Sequence, residues 1–260
     1  MTQLDSEAKS EQPARSSNPL PFVLPLILFL LIASRYPNVA PPSEFDQLHQ
    51  LVPESEESGG MTPETWWYMV MIGFQVVVAS GLLVWFRKVY FQHFPFRISP
   101  LSVVVGIVGV VLWIGVCYLE LEPRLLSALG FDASRPAFDP FTLEDSSVRT
   151  LFLALRFTLL ALIVPIIEEL FLRGWLVRWI ENPSWEYVSL QGLSWKALLA
   201  ASVYGVLTHP SEAIAAFLWF GLVTWLMNRT GNLWDCVVAH AVTNLLLGIY
   251  VVKFEQWQLW

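Results

Sequence analysis

Apolar residues run along this chain in long blocks separated by short polar links, not in strict alternation. Blocks of that kind predict helices, and blocks near twenty residues predict helices that cross a membrane. Seven runs stand out, at 20–33, 66–86, 98–119, 150–180, 195–208, 213–227 and 233–252. The expected fold is all-α, a polytopic transmembrane bundle of about seven to eight spans. The run at 150–180 exceeds what a ~30 Å hydrocarbon core needs at ~1.5 Å per residue, so its far end should reach the interface. The first run is short and contains Pro21 and Pro25, which makes a cleavable signal peptide the competing reading. No small-x-small cleavage site follows it, and "SRYPNVAPP" comes instead, so an uncleaved first helix is expected.

Polar stretches divide the chain further. Residues 1–18 read as a disordered cytoplasmic tail, 19–149 as N-terminal transmembrane helices with acidic loops, and 150–253 as a closing part of the same membrane domain. Composition agrees: 55% of residues are hydrophobic and 14% charged, against roughly 25% charged in soluble domains. Many of the 13 Trp flank apolar runs, where the ring suits the headgroup level of a lipid bilayer. The net charge of −7 comes from acids gathered around 44–64 and 120–145, and no basic cluster points to nucleic acid. Arg87, Lys88 and Arg97 mark the link after the second run as cytoplasmic. With seven spans the N-terminus is cytoplasmic, and Glu168 and Glu169 fall toward the cytoplasmic side. Cys117 and Cys236 each sit in an apolar run without CxxC spacing and read as small core or lipid-facing residues.

Charges inside the apolar runs change the picture from architecture to chemistry. "VPIIEELFLRGWL" at 164–176 places Glu168, Glu169 and Arg173 where a charge costs roughly 2.5–3.5 kcal/mol on insertion scales. Glu169 and Arg173 are spaced i, i+4 in the favourable order for a helical ion pair. Glu168 has no such partner and must find one on another helix. His49, in the outer loop, and His93, in the basic link, read as solvated residues. His209 and His240 lie in apolar runs, the first ahead of a helix-interrupting Pro210 and the second four residues before Asn244. Intramembrane polar groups turn inward and cluster, so these six residues are expected around one polar chamber. A carboxylate beside a His can deprotonate a water, and a second His with an Asn can hold a developing oxyanion. Those are the parts for hydrolysing an amide without a covalent intermediate. A Cys236–His240 pair, spaced i, i+4, is a weaker alternative, and Ser211 belongs to no recognisable nucleophile elbow.

The motifs resemble a known family. "EELFLR" fits EExxxR, "HAVTN" fits HxxxN and "YGVLTH" approximates FxxxH, with Gly205 where the aromatic usually stands and Tyr204 one residue earlier. The sequence is similar, over about residues 150–250, to the CPBP family of intramembrane glutamic proteases, which includes the CAAX prenyl endopeptidases. The resemblance implies a peptidase in which Glu168 is the general base, His209 its partner, and His240 and Asn244 the oxyanion hole. Glu169 and Arg173 would support them, with no metal or other cofactor. "LWIGV" and "NLWDCVVAHAVTNLLLG" also look like an exosortase-associated subgroup of CAAX protease-related proteins. That likeness implies a bacterial inner-membrane protein, a membrane protein or peptide substrate, and a link to an exosortase-type sorting system. Two alternatives stay open. One is a metal-dependent protease using two Glu and two His, although no HExxH is present. The other is a non-enzymatic membrane component of a sorting or export system, or an ion pathway.

Overall fold

The computed structural model describes residues 18–37, 62–128 and 138–259. The tail before Asn18, His49 with most of the first acidic loop, and residues 129–137 of the second lie outside them. The described residues form eight helices of eight residues or more and no strand: α1 (Leu20–Ala33), α2 (Pro63–His93), α3 (Pro100–Cys117), α4 (Leu121–Ala128), α5 (Ser146–Glu181), α6 (Trp195–Thr208), α7 (Ala213–Thr230) and α8 (Leu233–Phe254).

Five of these, α2, α3, α5, α7 and α8, are long and apolar enough to cross a membrane. This is an integral membrane protein. Among the described residues, the seven to eight spans expected from sequence are not reached by length, because α1 and α6 have 14 residues each. At ~1.5 Å per residue each is about 21 Å long, short of a ~30 Å core. Large apolar side chains such as Val77, Trp85, Val111 and Leu207 are exposed, as a lipid-facing surface requires.

Local chemistry sets the helix ends. Thr62 caps α2 by accepting from Thr65 N–H, with Pro63 at the first helical position. Asp145 caps α5, and the N–H groups of Ser147 and Val148 hold its carboxyl below the usual range. Gly231 ends α7 in the left-handed conformation (φ 62°), and Asn232 then caps α8. The α7–α8 turn fastens the link between α2 and α3. Asn232 donates to the Arg97 carbonyl (2.8 Å), Trp234 Nε1 donates to the Phe94 carbonyl (2.8 Å), and buried Asp235 accepts from Ser99 N–H (2.7 Å) and Oγ–H (2.9 Å).

His93 departs from the solvated reading. Helix α2 continues through most of the basic link, so His93 is buried on it, donates from Nδ1 to the Val89 carbonyl (3.0 Å) and stacks on Trp185.

The core of the bundle is the contact of α8 with α3, α5 and α7, backed by α6 on α7. Close approach of α3 to α8 depends on Gly106, where an added Cβ would stand 2.8 Å from the Ala239 carbonyl oxygen and 2.7 Å from Val242 Cβ. Gly73, in α2, has open space. Gly106→Ala should therefore destabilise the protein by about 1–3 kcal/mol through overpacking. Gly73→Ala should be neutral or stabilising by up to about 1 kcal/mol through helix propensity. Thermal unfolding of the two variants in detergent checks both signs.

Candidate active site

The site is built on α5, which is not a uniform helix. Two π turns, Leu159–Ile163 and Leu172–Leu176, flank the α-helical stretch Val164–Phe171 that carries Glu168 and Glu169. Such turns re-aim side chains within a helix and recur at functional sites.

Glu169 and Arg173 are both fully buried, and Arg173 Nη1 donates to Glu169 Oε2 at 2.5 Å. The guanidinium is satisfied further from α7: Nη2 donates to the Phe220 carbonyl (2.9 Å) and to Thr224 Oγ1 (3.1 Å). The second oxygen of Glu169 reaches α8, where His240 Nδ1 donates to Oε1 at 3.0 Å. The ion pair expected on one helical face is thus a knot joining α5, α7 and α8.

Glu168 is placed differently. It has no partner on its own helix, its side chain keeps 12% exposure against 0% for Glu169, and its Oε2 faces His240 Nε2 at 4.0 Å. His240 therefore stands between the two carboxylates, with its ring edge-on to Trp219 at 4.6 Å between centroids. Because a carboxylate can only accept, Nδ1 carries a proton and Nε2 is the nitrogen presented to Glu168.

A cavity of about 230 Å³, large enough for several waters, opens beside them and is lined by Glu168, His209, His240 and Asn244. The structure brings together all four residues expected to be catalytic. His209 enters from the end of α6, where Pro210 stops the helix. Its Nδ1 lies 2.9 Å from Thr208 Oγ1 and 3.2 Å from the Gly205 carbonyl, and its ring stands edge-on to Trp113. The amide of Asn244 donates to the Leu160 carbonyl in the first π turn (2.9 Å). The imidazole at 4.0 Å from Glu168 is His240, whereas His209 lines the same cavity with its ring against Trp113 and Phe220.

Cys236 does not pair with His240. Its buried thiol lies 3.7 Å from the Val223 and Asn232 carbonyls, and both imidazole nitrogens of His240 are turned toward glutamates. Gly205 has a steric reason: a Cβ there would stand 2.4 Å from Phe220 Cδ2. Phe220 fills the space of the missing motif aromatic, and Tyr204 packs against both Phe220 and Phe171.

Four contributors were not singled out from sequence. Arg156 and Glu212 line the cavity, Trp219 backs His240, and Thr224 holds Arg173. Arg156 was readable, since it is a further charge within the fourth apolar run. Trp219 and Thr224 carry no comparable signal. Among the described residues no group of three or more His, Cys, Asp or Glu is arranged to hold a metal ion.

Residues 150–246 match the family model Rce1-like, described as type II CAAX prenyl endopeptidase Rce1-like. This stretch is an Rce1-like domain. It holds every residue of the Glu169 knot and the four cavity-lining residues Glu168, His209, His240 and Asn244. The match is at the level of this wider family. No curated protein and no solved structure matches the chain significantly. An Rce1-like domain within a membrane-helical protein supports endopeptidase activity.

The two glutamates should respond differently to substitution. Arg173→Met strands a buried carboxylate and should cost about 3–5 kcal/mol. Glu168→Gln, at the cavity wall, should change stability by less than about 1 kcal/mol. Unfolding midpoints and folded yield in detergent distinguish them.

Proposed function

We propose that this protein is an intramembrane endopeptidase that hydrolyses a peptide bond of a membrane-associated protein or peptide with a glutamate-activated water. The observation that supports this best is the inequality of the two carboxylates: Glu169 is consumed by Arg173 and His240, while Glu168 lines the cavity.

In this mechanism a water sits between Glu168 and Nε2 of His209. Glu168 takes a proton from the water as its oxygen attacks the scissile carbonyl. In its imidazolium form His240, held at Nδ1 by Glu169, presents Nε2–H to the oxyanion. Asn244 adds the amide proton not used on the Leu160 carbonyl. Glu168 then returns the proton to the leaving amine, and the tetrahedral intermediate collapses to carboxylate and amine. No residue becomes acylated, and no metal enters the steps. A bacterial inner-membrane location and a substrate from an exosortase-type sorting system belong to the same proposal, supported by the resemblance of "LWIGV" and the closing motif alone.

Replacing Glu168 by Ala in the producing cell tests the reading. The variant should insert and accumulate like the parent, while termini of one or more membrane or surface proteins revert to uncleaved forms. Parent-like termini with full complementation would return the chamber to a scaffold or ion pathway. Purified parent should also keep its activity after treatment with a chelator. Loss of cleavage that stoichiometric zinc restores would favour the metal-dependent alternative.

A further inference from the structure

The catalytic cavity is elongated, and its two ends differ. Helices α3 and α8 lie side by side and run in the same direction. Ser99 meets Asp235 at one end, Gly106 meets Thr243 midway, and the hydroxyls of Tyr118 and Tyr250 meet at the other. The first end carries the basic link, since Asn232 holds the Arg97 carbonyl there. The second end carries the acidic loops, and Phe141 of the second loop packs on Trp257 beyond α8. On α8 the cavity wall begins at His240 and continues to Val251, and on α5 it runs from Arg156 to Glu168. The cavity thus extends roughly 17 Å from His240 toward the acidic-loop end, at ~1.5 Å per residue. Toward the basic-link end the bundle is filled by the fully buried Glu169, Leu172, Arg173 and Cys236.

A second cavity, of about 200 Å³, lies at the acidic-loop end. Glu212 and Leu259 line both cavities and form the wall they share. Much of the remaining wall is polar, with Tyr118, Glu120, Ser211 and Gln256 in it. Ionisable and polar groups inside a membrane bundle face water-filled space. Leu259 reaches the boundary because the chain reverses after α8. Glu255 takes the left-handed conformation (φ 55°), Gln256 N–H donates to the Val251 carbonyl (3.1 Å), and the turn Trp257–Leu259 folds back to the cavity.

We propose that the second cavity is the aqueous entrance to the catalytic cavity, and that the substrate segment is cut from the acidic-loop side of the membrane. Each hydrolysed bond consumes a water, and a site filled at the basic-link end draws that water past Glu212 and Leu259. The same passage admits the polar backbone of the segment to be cleaved. By the distribution of basic residues that side is the outside. The substrate class is then a membrane-associated protein or peptide that presents its cleavage site at the outer face. The substrate route rests on Glu168 being the base, whereas the position of the entrance does not.

The test uses the full chain in sealed membrane vesicles of both orientations and a maleimide carrying a trimethylammonium group, which does not cross the bilayer. Cys117 lines the second cavity and Cys236 is buried, so the parent already carries one reporter. Ser211→Cys in a Cys117→Ser background supplies another. Lys88→Cys and Glu144→Cys in the same background mark the two faces. Both reporters should label from the Glu144 side at least about tenfold faster than from the Lys88 side, because thiol reactivity follows access. After solubilisation, a labelled reporter should show at least about a tenfold loss of kcat/KM against the same protein unlabelled. The substrate is a quenched fluorescent peptide spanning the cleavage site found by the terminus comparison. Glu168→Gln should label like the parent while cleaving nothing. Labelling of either reporter from the Lys88 side, or of neither from any side, overturns the entrance. Labelling that leaves cleavage undiminished also overturns it and leaves Glu168 as base. Cleavage that persists in Glu168→Gln, or a terminus comparison that yields no site, overturns the endopeptidase reading and the substrate route with it, whatever the side of labelling.

Discussion

A carboxylate and a guanidinium, both without solvent exposure and 2.5 Å apart, stand at the centre of this bundle. Taking two such charges out of water is costly, and the site answers with hydrogen bonds rather than attraction alone. Arg173 uses a main-chain carbonyl and a hydroxyl of α7, and Glu169 uses an imidazole of α8. Each bond that satisfies the pair also fixes the position of another helix. The orientation of His240 follows from this, because its Nδ1 is committed to Glu169 and Nε2 must turn the other way. The direction of the cavity wall is thus set by the requirement that a buried ion pair be satisfied.

The chain reaches this arrangement by breaking its own regularity. Helix α5 departs from α geometry on both sides of the glutamates, α6 stops at His209–Pro210, and the first π turn offers the Leu160 carbonyl to Asn244. Elsewhere the packing is plain: glycine on α3 lets α8 approach, and exposed apolar side chains face lipid. The irregular backbone is concentrated where polar groups must meet inside an apolar solvent, where every unsatisfied donor or acceptor costs free energy.

Much of this was legible in the order of residues. Apolar runs located the helices because lipid and core both select apolar side chains, and the i, i+4 spacing separated Glu169 from Glu168. Length was less legible. Helix α2 runs to His93 because amphipathic residues continue a helix beyond the apolar block, and the two 14-residue helices fall short of a full crossing. The bridging position of His240 could not be read, since periodicity fixes which face of α8 it occupies but not its rotation against α5. Phe220 replacing a motif aromatic was equally hidden, because it comes from a different helix than the motif. Arg156 was visible by the same reasoning that found Glu168.

In the proposed function the two adjacent glutamates are unequal: Glu169 belongs to the architecture and Glu168 to the chemistry. That proposal requires water at Glu168 and none at Glu169. The most direct measurement is a high-resolution experimental density map of the protein in a lipid nanodisc, read for ordered solvent in the cavity. The account predicts a water within about 2.6–3.2 Å of both a Glu168 carboxylate oxygen and His209 Nε2. A cavity filled by acyl chain, or a Glu168 carboxylate closed onto a protein cation with no water at hand, would contradict it.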